Sequence, residues 1–152
     1  MTATDVVRTS IATWNEADRQ GFLGCYAEDC EIVSPGLLGS GHDGVAEFWS
    51  SIMDTIPDCR VEAVRLIADG DTVLEEARSR GTNTGPVQGP DGSDVPPTGR
   101  TVDFAFGAAH TVRDGRIVSS RFYWDRPTFL VQLGLLPDPA GTAGATVPAG
   151  SS

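Results

Sequence analysis

Positive charge is scarce in this sequence: 11 Lys and Arg residues stand against 21 Asp and Glu, for a formal net charge of −10. Nucleic-acid binding needs a basic footprint to neutralise phosphates, so that class is excluded. Docking on an anionic membrane surface is disfavoured for the same reason. No apolar run approaches the length of a membrane span. The opening Met1-Thr-Ala-Thr-Asp-Val-Val-Arg8 lacks the basic-then-apolar order of a signal peptide, and a cytoplasmic protein is expected. Cys25, Cys30 and Cys59 are odd in number and not closely paired, which argues against a disulfide framework and for buried thiols. With only His42 and His110 beside them there is no recognisable zinc pattern, and no metal is expected.

What is present suits one domain: 152 residues, 39% of them hydrophobic, are enough for one sizeable core. Thr2 or Thr4 caps a first helix whose stripe is Val7, Ile11 and Trp14. A second short helix follows Asp18, with Phe22, Leu23 and Tyr26 on one side. Cys30 to Ser34 reads as a strand stopped by Pro35-Gly36. The clearest helix carries Val45, Phe48, Trp49, Ile52, Met53 and Ile56, with Ser40 or Asp43 as cap and Pro57 as stop. Strands follow over 60–68, 72–82, 102–112 and 116–124, with a Gly- and Pro-rich loop at 85–99 that is expected to edge a pocket. Beyond Pro137 the composition predicts a disordered tail, so the expected domain is 1–137 and the tail 138–152.

Helices first and an antiparallel sheet afterwards predict an α+β domain with helices on one sheet face. Alternation places Phe104, Phe106, Ala108, His110 and Val112 on the inner face of one strand, and Val118, Ser120, Phe122 and Trp124 on that of the next. The last strand runs into Asp125, which reads either as a general base at the sheet edge or as the N-cap of a helix ending at Gly134.

Pro57-Asp58, Asp69-Gly-Asp71, Gly81-Thr-Asn-Thr-Gly85, Pro96-Pro-Thr-Gly99, Asp114-Gly-Arg-Ile117, and Asp125 followed by Gln132-Leu-Gly134 occur in an order and spacing that is fairly specific. Through them the chain, over about residues 4–137, resembles SnoaL-like polyketide cyclases of the ketosteroid-isomerase-like superfamily. The resemblance implies a cone-shaped α+β domain on a curved, mainly antiparallel sheet, commonly a homodimer. It also implies an enclosed apolar pocket, no cofactor, and ring closure or isomerisation of a hydrophobic polyketide-like molecule. Two departures stand out: Asn83 occupies a position where such proteins usually carry His, and the loop after Gly85 looks longer. The acid–base pair of the aldol cyclases falls on Phe122 and Ala108, neither of which transfers a proton.

Asp125 and His110 are therefore the candidate catalytic residues, each with a plain alternative as a cap or a core residue. Trp14, Trp49, Asn83, Phe104, Phe106, Phe122 and Trp124 are the candidate substrate-binding residues, Asn83 as an oxyanion donor and the rings as cavity wall or plain core. Glu75, Glu76, Arg78 and Arg80 read as a polar wall or a solvated face. The function expected is a cyclase that works by acid–base chemistry or by substrate preorganisation of the Diels–Alder type. Epoxide hydrolysis by Asp103, Arg121 and Asp125, and a non-catalytic small-molecule-binding dimer, are the alternatives.

Overall fold

A computed structural model describes residues 1–88 and 91–138. Helix α1 (Ala3–Asn15) starts with a reciprocal cap: the Thr2 side chain accepts from the Asp5 amide and the Asp5 carboxylate accepts from the Thr2 amide. Helix α2 (Arg19–Gly24) is capped by Asp18, whose carboxylate accepts from the Gly21 amide. Strand β1 spans Tyr26–Ser34, β2 Leu37–Ser40, and helix α3 Gly41–Met53. Tyr26, expected on the second helix, instead opens β1, because Cys25 ends α2 and the chain is already extended. Ser40 sits at the N-cap of α3 without a side-chain cap bond.

The long strands are β3 (Arg60–Asp69), β4 (Thr72–Thr82), β7 (Thr101–Arg113) and β8 (Arg116–Tyr123). Two-residue strands β5 (Val87–Gln88) and β6 (Asp94–Val95) pair within the segment read from sequence as loop. Helix α4 (Arg126–Gln132) follows β8. The main sheet has the order β2-β1-β8-β7-β4-β3, antiparallel throughout except that β1 and β8 run parallel. Helices on one face of this sheet form the expected α+β cone. Residues 139–152, most of the predicted tail, lie outside the described residues.

Two-residue turns with positive φ close the β7–β8 hairpin at Asp114 (51°) and Gly115 (74°), the backbone twist that such hairpins favour. Thr111 pairs with Ser119 but Val112 pairs with Ile117, so β8 carries one extra residue at Val118. That bulge resets the alternation: Ile117 is fully buried and Val118 only half-buried, the reverse of the simple period-2 reading. Ser120, Phe122 and Trp124 keep the inner phase expected of them.

The motif Gly81-Thr-Asn-Thr-Gly85 is explained by close approach. A Cβ on Gly85 would lie 1.7 Å from the Asp54 carbonyl oxygen, and one on Gly81 would lie 2.2 Å from Ile56 Cγ2. Asp58 accepts from the Thr82 amide at 2.7 Å, and that backbone bond holds its carboxyl below the usual carboxylate range. Pro57-Asp58 and the Gly81–Gly85 motif thus form one joint between the end of α3 and the end of β4.

Candidate active site

The helices and the inner sheet face enclose a cavity of about 530 Å³. Six of the expected site residues lie in its wall: Trp14, Phe104, Phe106, His110, Phe122 and Trp124. Phe122 stacks on Phe48 of α3 with ring centroids 4.6 Å apart and planes 20° apart. It also meets Phe106 at 6.1 Å and the edge of the His110 ring at 5.6 Å. Nearer the mouth, Phe104, Trp124 and Phe129 form a triangle with centroid separations of 5.6 to 5.7 Å. Such pairings add to the area they bury by about 0.5–1.5 kcal/mol each.

Three expected site residues lie elsewhere. Trp49 packs behind Trp14 at 4.9 Å and against Phe22 at 5.5 Å, in core rather than cavity wall. Asn83 is fully buried and spends all its polar atoms on the backbone joint: Nδ2 donates to the Thr55 and Gly85 carbonyls, while Oδ1 accepts from the Thr98 amide and hydroxyl. It has no donor left for an oxyanion. Asp125 is exposed at the N-cap of α4, outside the wall, with the Thr128 hydroxyl as its partner.

The polar heart of the cavity is a buried chain from four strands, β4, β7, β8 and β1. His110 Nε2 lies 2.8 Å from Glu75 Oε1, and His110 Nδ1 lies 2.7 Å from Ser120 Oγ. Ser120 Oγ in turn lies 2.9 Å from the Tyr26 hydroxyl. Glu75, His110, Ser120 and Tyr26 are 6%, 2%, 0% and 1% exposed. One arrangement satisfies every group: Tyr26 O–H donates to Ser120, Ser120 O–H to Nδ1, and Nε2–H to Glu75. Burial pushes the Tyr26 hydroxyl well above its ordinary pKa, so it remains a donor. His42 is half-buried and bonds the Tyr26 carbonyl oxygen through Nε2 at 2.8 Å, which fixes the start of β1.

Glu75 Oε2 has no hydrogen-bond partner among the described residues, and Glu75 forms part of the cavity wall. It is the carboxylate oxygen left to meet a ligand. Glu75 faces inward because β4 alternates Val73, Glu75, Ala77 and Ser79 inward against Leu74, Glu76 and Arg80 outward. Ala77 offers only a methyl, so along β4 the cavity runs about 13 Å from Glu75 to Ser79, four residues on. There the Cys59 thiol lies 3.2 Å from the Ser79 hydroxyl, its pKa raised by burial.

On the opposite face of the sheet, Asp103 takes Arg78 at 2.7 Å and Arg80 at 3.4 Å, and Arg78 holds its carboxyl below the usual range. Asp103, Arg121 and Asp125 are all exposed and outside the cavity wall, so they form no water-activating centre inside it. No group of three or more His, Cys, Asp or Glu side chains among the described residues is placed to hold a metal ion. No helix among them is long and apolar enough to cross a membrane.

A cone of helices over a curved sheet, with one buried polar chain in an apolar cavity, defines a ketosteroid-isomerase-like domain. The family model described as "SnoaL-like domain" matches residues 7–120, and the chain belongs to that family. No curated protein matches it. Among solved structures it is similar to AclR, a candidate hydroxylase from Streptomyces galilaeus, at 24% identity over 90% of this chain and 83% of that one, with a TM-score of 0.77. It is similar to IdmH, a candidate polyketide cyclase from Streptomyces antibioticus, at 26% identity over 88% and 99%, with a TM-score of 0.71. A candidate SnoaL-like polyketide cyclase from Jannaschia sp. CCS1 shares 20% identity over 89% and 93%, with a TM-score of 0.77.

Proposed function

We propose that the protein is a cofactor-independent cyclase or isomerase that moves a proton on a hydrophobic, polyketide-like molecule held in the cavity, with Glu75 as the base. The observation that carries this reading is the Glu75–His110 pair, buried at the wall of an aromatic cavity with one carboxylate oxygen unbonded. Membership of the SnoaL-like family and the similarity to IdmH support the cyclase class.

The chemistry is proton abstraction next to a carbonyl. Glu75 Oε2 takes the proton, the C–H electron pair moves into the carbonyl group, and an enolate forms. The enolate carbon then attacks a second carbonyl of the same molecule to close a ring, and the new alkoxide oxygen takes a proton from the Glu75 carboxyl or from water. Alternatively the proton returns at another carbon to complete an isomerisation. His110, fixed by Ser120, holds the carboxylate at one angle throughout, and the surrounding rings keep bulk water from the enolate.

Deuterium exchange tests this without knowledge of the natural substrate. An aromatic 1,3-diketone incubated with the protein in D₂O is expected to take up deuterium at its central carbon faster than in buffer, read by mass spectrometry. Glu75→Gln is expected to lower that rate by about a hundredfold or more, whereas Asp125→Asn leaves it unchanged. If Glu75→Gln exchanges as fast as the wild type, proton transfer by Glu75 is wrong. Preorganisation by the Phe48–Phe122–Phe106 panel then becomes the better account.

The same reading includes a homodimer formed through the outer sheet face. Ala105, Gly107 and Ala109 make a flat strip there, and Leu74, Ile67 and Tyr123 beside it are 51%, 54% and 61% exposed.

A further inference from the structure

The wall of the cavity is acidic at its rim, where Glu47, Asp54 and Asp94 contribute, and it carries a carboxylate inside, at Glu75. One arginine breaks this pattern among the described residues. We propose that Arg126 anchors an anionic oxygen group of the ligand, a carboxylate or an ionised enol, so that the ligand is an organic acid with a hydrophobic body. The proposal rests on the reading of the cavity as the substrate site.

Three observations point to Arg126. First, its guanidinium lies over the Pro35-Gly36 turn: a Cβ on Gly36 would be 2.6 Å from Nη1. Gly36 adopts φ +81°, so the turn both avoids strain and leaves the seat open. Second, no carboxylate among the described residues pairs with Arg126, although three line the same rim. Third, its neighbours in the wall are fixed apolar rings. Trp124 donates from Nε1 to Ser34 Oγ at 3.2 Å and packs edge-on to Phe129 at 5.7 Å. A planar guanidinium at the edge of such rings can form two parallel bonds to a carboxylate.

The two charges also set direction. Glu75, 6% exposed, repels an anion from the interior, while the exposed Arg126 attracts it at the mouth. An acid therefore binds with its charged end at Arg126 and its apolar body against the Phe104, Phe122 and Phe48 rings. That orientation brings a carbon remote from the acid group to Glu75.

Two fluorescent probes with one apolar body separate charge from shape: 1-anilinonaphthalene-8-sulfonate carries an anion and N-phenyl-1-naphthylamine does not. Energy transfer from Trp14 and Trp124, both in the cavity wall, reports binding. Arg126→Gln is expected to weaken the sulfonate probe about fivefold and to leave the neutral probe within about twofold, with Arg126→Lys recovering part of the loss. If Arg126→Gln weakens both probes equally, or neither, the anchor is wrong. Failure of the neutral probe to bind the wild-type protein overturns the cavity as the ligand site, and the anchor with it. Binding of the neutral probe together with indifference of the sulfonate probe to Arg126→Gln overturns the anchor alone.

Discussion

Glu75 and His110 are each tolerable inside the protein because of the other. Both are almost fully desolvated, and the 2.8 Å bond between them offsets much of what burial costs. Removing one partner of such a pair leaves a buried polar group unmatched, which destabilises by about 3–5 kcal/mol. His110→Ala is accordingly expected to lower unfolding stability by about 3 kcal/mol, measured by urea denaturation. The Glu75→Gln/His110→Ala double variant is expected to cost less than the sum of the single ones, since the two share one interaction. Equal and additive effects would show that the pair is not coupled. His110 was visible in the sequence because it is a lone imidazole on an apolar face. Glu75 was hidden inside Glu75-Glu76-Ala-Arg78, which looks like a charged surface run until Val73 and Ala77 are seen to flank it at spacing two. Its partner lies 35 residues away, and no local pattern links them.

At the scale of elements, the joint between the end of α3, the end of β4 and the entry to β7 is the feature most exposed to single changes. Asn83 bonds backbone groups of Thr55, Gly85 and Thr98. Asn83→Ala would strand two carbonyls and an amide, at about 1–3 kcal/mol for each group left without water. Thermal unfolding is expected to show a fall of several degrees in Tm, whereas Thr84→Ala, at an exposed neighbouring position, changes it little. An unchanged Tm in Asn83→Ala would mean that the joint is held by packing alone. Helical stripes and hairpin turns were legible because they depend on neighbours in sequence: α1, α3, β3, β4 and the Asp114-Gly115 turn lie where periodicity placed them. The start of β1 at Tyr26 and the bulge at Val118 depend on pairing between distant strands, which alternation along one strand does not contain. Asn83 falls in the same class, because its backbone partners come from three elements.

For the whole molecule, the outer sheet face is the surface through which the proposed dimer forms. Gly107 lies at its centre, between Glu76 of β4 and Tyr123 of β8. A Cβ there would meet only the Glu75 carbonyl oxygen, at an ordinary 3.6 Å, so a side chain at this position is compatible with the fold. Gly107→Arg is therefore expected to convert a dimer into a folded monomer, read by light scattering with unchanged circular dichroism; a mass unaffected by the substitution would place the interface elsewhere. The charge of −10 and the choice of arginine for all eleven basic residues leave planar guanidinium groups as the sole side-chain cations besides histidine. The parallel pairing of β1 with β8 carries a kinetic consequence. The Tyr26–Ser120 bond spans 94 residues of chain, and the sheet has no central seam until β8 inserts between β1 and β7. Contacts of such long range form late and slow a domain's folding. During synthesis, the N-terminal helices and β1 emerge well before the strand that completes their wall. The cavity is thus the last part of the molecule to come into being, and a chain cut short before Ser120 would possess helices and hairpins but no interior.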